Sequence, residues 1–194
     1  MNDEDHCKIC KRSVHCCIFK KKEGFVFVGI KTAEKIRQET GKRFSEFLDF
    51  SSLPNKIVDA MKNEEDYLEG SMRFDLLDKK NRLLRLKIKE NENCIFLNDK
   101  RRCDIYDIRP NICRIYPLWA IRLLNGKLKV IGHDEESKCG IIRNLQHKIG
   151  KNTDFEKVLS KKRVLEISKI MEDIEKENIY YKRNIDKFVK TNNL

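Results

Sequence analysis

The chain has 194 residues, of which 38% are charged and 40% hydrophobic, with a formal net charge of +11 and a mean hydropathy of -0.64. That length holds one domain, or one with a small appendage, and buries a real core. No apolar run exceeds Phe25 to Ile30, far short of the roughly 18 to 20 residues that a membrane-spanning helix needs.

The opening MNDEDHCKIC is acidic and polar, where a secretory leader starts basic and turns apolar. The expected location is therefore the cytoplasm. Residues 1 to 24 form a cysteine-bearing arm without periodicity, and Phe25 to Ile30 has the β-branched and aromatic content of a short strand. Thr32 is the expected N-cap of a helix that stops at Gly41, and Phe44, Phe47 and Leu48 continue an apolar face. Pro54 opens a further helix over Asn55 to Leu68. Ser71 to Glu90 reads as a hairpin with one wet face, because Leu84, Leu86 and Ile88 alternate with Arg85, Lys87 and Lys89. A second small hairpin spans Cys94 to Cys103, turning at Asn98 to Arg102. A third turns at Asn125-Gly126, the strongest two-residue hairpin signal in the chain. Beyond Asn152, Phe155, Val158, Leu159, Leu165, Ile170, Met171 and Ile174 outline one amphipathic helix and Ile179 to Val189 another. The expected fold is α+β: antiparallel hairpins and short helices around a cysteine-bound metal centre in residues 1–150, with a C-terminal helical pair over residues 151–194 packed on it.

The eight cysteines, Cys7, Cys10, Cys16, Cys17, Cys94, Cys103, Cys113 and Cys139, carry the chemistry. In a cytosolic chain clustered thiols hold metal or do redox work more often than they form disulfides. Cys7-x2-Cys10 is the spacing of a metal-binding knuckle, since two intervening residues let both sulfurs converge on one ion from a tight turn. Adjacent residues in an extended chain point to opposite sides, so Cys16 and Cys17 serve two centres more easily than one. Eight thiols suffice for two four-sulfur sites, or for one such site and four further thiols. All-sulfur ligation suits an iron-sulfur cluster or zinc. His6 and His15 lie beside cysteines and are alternative nitrogen ligands. A four-thiolate site carries net negative charge, and Arg109 and Arg114, on either side of Cys113, are candidate donors around it. Pro110 opens a short helical turn between them.

The run Cys94-Ile-Phe-Leu, followed by Cys103-Asp-Ile-Tyr-Asp-Ile-Arg-Pro-Asn-Ile-Cys-Arg and Tyr116-Pro117, after an early cluster ending in Cys16-Cys17 and before Cys139, resembles the YkgJ-type cysteine-cluster family of zinc- or iron-chelating domains, a relative of flagellin lysine N-methylase. The resemblance spans Cys7 to Cys139 and implies a metal or iron-sulfur centre. The family reads Cys-x2-Cys-x2-Cys-Cys, whereas five residues, Lys11 to His15, separate Cys10 from Cys16 here.

The leading functional expectation is a cysteine-ligated metal protein holding an iron-sulfur cluster or zinc. One alternative, an iron-sulfur dependent protein-lysine N-methylase-like enzyme acting on a protein substrate, follows from the relative; no glycine-rich strand-to-helix turn marks a donor site, and no catalytic residue is singled out. The other, a basic zinc module binding nucleic acid, rests on charge alone. The basic runs Lys20 to Lys22, Lys100 to Arg102 and Lys161 to Arg163 are short, scattered and free of interleaved aromatics, and read as solvated lysines.

Overall fold

The computed structural model describes residues 17–19, 26–52, 77–80, 82–116, 118–123, 125–132 and 159–194. The Asn55 to Leu68 helix, the strand expected before Leu77, and Cys7, Cys10, Cys16, Cys139, His6 and His15 lie outside the described residues.

Helix α1 (Ile30–Thr40) buries Ile30, Ala33 and Ile36 on one side. It ends where expected: Gly41 adopts φ 68°, and its N–H donates to the Arg37 carbonyl, the left-handed exit that glycine takes without steric cost. Its start differs from the expectation. Gly29, not Thr32, is the N-cap, and it has no side chain with which to satisfy the first amides. Glu177, distant in sequence, takes over: its Oε1 accepts from the Thr32 N–H at 3.1 Å and from the Thr32 hydroxyl at 2.6 Å. A Cβ on residue 29 would run into the Glu177 side chain, so glycine there makes room for the capping carboxylate.

A short turn of helix, α2 (Phe44–Phe47), leads into β1 (Leu48–Ser52), which pairs antiparallel with β2 (Arg82–Leu86) from Leu48↔Leu86 to Ser52↔Arg82. The expected strand around Phe27 is reduced to a single bridge to Arg85, with Val28 N–H donating to Leu84 and Leu86 N–H to Val26. The turn into β2 is fixed by Asp78. This nearly buried carboxylate accepts from the Lys80 and Arg82 amides and pairs with the Arg82 guanidinium at 2.7 Å. The third hairpin forms at the expected place, with β3 (Leu118–Arg122) pairing with β4 (Leu128–Gly132). Its turn is longer than the two residues read: the Leu123 N–H donates to the Lys127 carbonyl and the Gly126 N–H to the Leu123 carbonyl, and Gly126 supplies φ 80°.

The C-terminal segment corrects the expected helical pair. After the short α3 (Asn111–Ile115), the described residues from Lys161 on form one continuous helix, α4 (Lys161–Asn192, 32 residues), while Phe155 and Val158 of the expected first helix lie outside the described residues. Ser160 caps α4 by accepting from the Arg163 N–H. No glycine or proline interrupts it, and the buried positions Ile167, Ile170, Met171, Ile174, Asn178, Tyr181, Ile185 and Phe188 stay in phase throughout. Leu165 and Ile179, apolar in sequence, stand outside the buried stripe and face solvent, 70% and 54% exposed.

The first half of the α4 stripe packs in a cluster with Ile115, Leu118, Ala120, Val130 and Leu159. The second half joins the larger cluster, where Tyr181 meets Phe27 edge-on at 5.2 Å, Phe188 meets Phe44 at 4.9 Å, and the Tyr181 hydroxyl accepts from the Leu84 N–H. No helix among the described residues is long and apolar enough to cross a membrane.

Replacing Gly29 by Ala should push Glu177 off Thr32 and cost about 1–2 kcal/mol, the usual value of a lost cap. Urea denaturation checks it. Glu177→Ala should cost a similar amount, and the double variant should cost clearly less than the two added together, because both changes remove the same cap.

Candidate metal centre

Backbone pairing in irregular segments, with little regular secondary structure, places the described cysteines. Glu92 takes φ 65°, closing a turn in which its N–H donates to Lys89 and the Lys89 N–H to Asn93. This turn presents residues 92–94 to the early arm: Ile18 bridges Asn93, the Phe19 N–H donates to Glu92, and the Cys94 N–H donates to the Cys17 carbonyl at 2.7 Å. The first and second cysteine blocks, distant in sequence, are thus joined through the backbones of Cys17 and Cys94.

From Cys94 the chain turns at once, the Leu97 N–H donating to the Cys94 carbonyl, and folds through the tight Asn98 to Arg102 loop so that Leu97 bridges Cys103. The loop forms as read from sequence, with Asn98 Oδ1 accepting from the Arg102 N–H. Cys103 then leads through a 3-10 turn (Tyr106–Ile108) to Pro110, which caps α3, the helix carrying Cys113. Cys17 and Cys94 are buried in the larger apolar cluster, and Cys103 and Cys113 pack against its edge. No two of these four are joined by a disulfide. Among the described residues no three His, Cys, Asp or Glu side chains converge as a metal-binding group; four of the eight cysteines belong to that described set.

Burial pushes the Cys94 thiol up to about 11, and the proximity of Cys103 adds to the rise. The Phe96 amide and the Lys89 ammonium act in the opposite direction, favouring the thiolate. From its alternation Lys89 is a wet-face strand residue, yet its Nζ also donates to the Leu97 carbonyl at 2.6 Å, tethering the Cys94 turn. Nothing in the local alternation distinguishes it from Lys87; the fold alone brings it to the thiol.

The two arginines have different settings. Arg109, half-buried, stacks its guanidinium 3.8 Å from the Tyr106 ring and donates from Nη1 to the Tyr106 carbonyl, while its Nε is buried without an acceptor among the described residues. An orphaned cationic donor on the segment between Cys103 and Cys113 fits a site that carries negative charge when loaded. Arg114 is exposed, donates to Asn111 Oδ1 at 3.2 Å, and through its carbonyl accepts from Arg163 at the start of α4. The donor chemistry also fits: soft sulfurs, largely withdrawn from water, suit zinc or iron.

The raised Cys94 value fixes the sign of a pH effect. Because the folded state holds this proton more tightly than the unfolded chain, metal-free protein keeps that stability below about pH 9 and loses it as pH rises toward 11, by at most about 2–3 kcal/mol. Cys94→Val should flatten this alkaline loss relative to the unaltered protein. Chelator-treated samples denatured in urea at pH 8 and pH 11 give the comparison.

Residues 6–140 match the family described as "Putative zinc- or iron-chelating domain", named for its CxxCxxCC motif. No curated protein and no solved structure matches the chain. The match spans more than half of the sequence and takes in every cysteine, and the chain belongs to this cysteine-cluster family of zinc- or iron-chelating domains.

Proposed function

We propose that the protein holds a thiolate-ligated centre, an iron-sulfur cluster or zinc, with Cys7, Cys10, Cys16, Cys17, Cys94, Cys103, Cys113 and Cys139 as its ligand set. The observation that carries this reading is the Cys94 N–H to Cys17 carbonyl bond, because it unites the two cysteine blocks of the family motif at one place in the fold. Family membership supports metal chelation in general; the thiol set supports zinc or iron over harder ions. Such a centre cross-links chain segments when it is zinc and adds one-electron exchange when it is an iron-sulfur cluster.

The protein's own residues supply the surroundings. The Phe96 amide and the Lys89 ammonium favour the Cys94 thiolate, and Arg109 brings a fixed guanidinium to the Cys103 to Cys113 segment. We assign Arg109 the charge-compensating role beside the sulfurs and give Arg114, on the exposed side of α3, the outer position. The metal-binding unit falls within residues 1–150, and residues 151–194 contribute a supporting helix without cysteines or histidines. A reducing compartment such as the cytoplasm suits thiols kept for metal.

Cys103→Ser and Cys113→Ser should lower bound metal more than Cys7→Ser, since the Leu97 bridge, the 3-10 turn and the Pro110 cap hold the first two in a preordered frame. Metal and acid-labile sulfide per chain, measured after purification without oxygen, decide both the ranking and the identity of the centre. Arg109→Gln should weaken metal retention against a chelator by about 10- to 100-fold, the usual range for a group that orients or neutralises ligands. Unchanged metal content in all four variants would overturn the assignment.

A further inference from the structure

The solvent side of α4 carries a cation at every seventh residue: Lys162, Lys169, Lys176, Arg183 and Lys190, all exposed. Seven residues are nearly two turns, so the five lie along one line about 42 Å long that drifts by roughly 20° per repeat. The two halves of this line keep different company. In the first, Glu166, Glu172 and Asp173 are one turn from the lysines, and Asp173 lies 3.8 Å from Lys176. That is the mixed-charge face of an ordinary exposed helix.

Beyond Lys176 the same face carries Arg183, Lys187 and Lys190, and the acid among them, Asp186, is held at 3.0 Å by Lys79 from the turn before β2. Lys31 of α1 adds a further cation, 4.7 Å from the Tyr180 ring. Among the described residues none forms an ion pair with Arg183, Lys187 or Lys190. Three separate elements thus contribute cations to one surface, on which the Asp186 carboxylate is already paired with Lys79.

We propose that this surface, centred on Arg183, Lys187 and Lys190 with Lys31 and Lys79 at its margins, binds the phosphate backbone of a double-stranded nucleic acid. A row of cations set along one helix face matches the dense, regular charge of a duplex, about one phosphate per 1.7 Å of axis. Single strands are bound by stacking on exposed rings, whereas here Tyr180 is half-buried beside Lys31 and Tyr181 is wholly buried. Insertion into a lipid surface needs an apolar face; the α4 stripe is committed to the core and leaves only Ile179 exposed in this half. The short basic runs of the sequence are not the cations involved. Those that matter are spaced by three, four and seven residues or come from other elements, so only the folded helix gathers them. The proposal is independent of the metal centre.

The full chain, with the metal it retains on purification, is titrated with a random-sequence DNA duplex of about 25 base pairs by fluorescence anisotropy across a salt series. Each phosphate contact adds about 0.9 to the slope of log affinity against log salt. The triple variant Arg183→Gln, Lys187→Gln, Lys190→Gln should reduce that slope by about 2–3 and weaken low-salt binding at least tenfold. Lys161→Gln, Lys162→Gln, Lys169→Gln, which removes the same charge from the other half of the helix, should change the slope by less than about one. Equal losses in both triple variants would reduce the effect to net charge and overturn the proposal. So would absence of duplex binding at low salt, or tighter binding to phosphatidylserine vesicles or polyglutamate than to the duplex. If circular dichroism shows that the patch triple variant fails to fold, Arg183→Gln and Lys187→Gln are measured singly, each with an expected slope loss of about one.

Discussion

The unbroken apolar stripe of α4 is the constraint on which the rest of the structure depends. An isolated helix, even a long one of this composition, draws little stability from propensity alone and needs its apolar face covered. Here the covering is divided. Residues Ile167 to Ile174 lie in the cluster with Ile115 and the β3–β4 hairpin, and Tyr181 to Phe188 lie in the cluster with α1, β2 and Phe96. Glu177 sits between these two stretches and turns back to cap α1. A small cavity there is lined by Phe27, Gly29, Glu177, Ile174 and the Pro110 to Ile112 start of α3. The helix therefore braces α1 and the cysteine-bearing α3 at one point, although it contains no ligand residue of its own.

The cysteine segments are held differently. Around Cys17, Cys94 and Cys103 the chain makes isolated bridges and tight turns in place of extended ladders, and two residues, Glu92 and Arg101, adopt positive φ without being glycine. Such conformations cost free energy unless their surroundings enforce them. Burial of Cys94, Phe96, Leu97 and Ile105 in the main cluster does part of this. Ligation would add a further restraint, because metal binding and ordering of the ligand segments are thermodynamically linked. Arginine is also the side chain suited to the position between Cys103 and Cys113. Its planar group stacks on Tyr106 and bonds the Tyr106 carbonyl while still offering a further donor, which the single ammonium of lysine does not reproduce.

What was legible in the sequence is what local chemistry dictates. Asn125-Gly126 fixed the third hairpin, Gly41 the end of α1, Asn98 to Arg102 the loop between Cys94 and Cys103, and Pro110 the start of α3. Each depends on a few adjacent residues with distinct φ preferences or capping groups. The misread features depend on partners far along the chain. Thr32 has the look of an N-cap, but Glu177 occupies it and Gly29 yields the space, so the helix begins three residues earlier. Leu165 and Ile179 are apolar enough to be counted into a stripe, and only the rest of the fold shows them turned outward. The pairing of Cys17 with Cys94 left no signal in either segment alone.

That last pairing bears on the departure from the family spacing. If the early cysteines were placed by their distance from one another, a spacing of five residues, Lys11 to His15, in place of two would displace all of them. Cys17, however, takes its position from the Cys94 N–H, with Ile18 and Phe19 extending the register along Asn93 and Glu92. This anchor lies after the insertion in the chain and does not involve its length. The insertion therefore bears on Cys7 and Cys10, upstream of it, while the contact between the end of the first block and the start of the second is set by these backbone hydrogen bonds and by the burial of Cys17 and Cys94 in one apolar cluster. Closing a loop a few residues longer adds only a small entropic cost, since that cost grows with the logarithm of loop length. A changed spacing in the arm is for that reason compatible with an unchanged junction at Cys17 and Cys94.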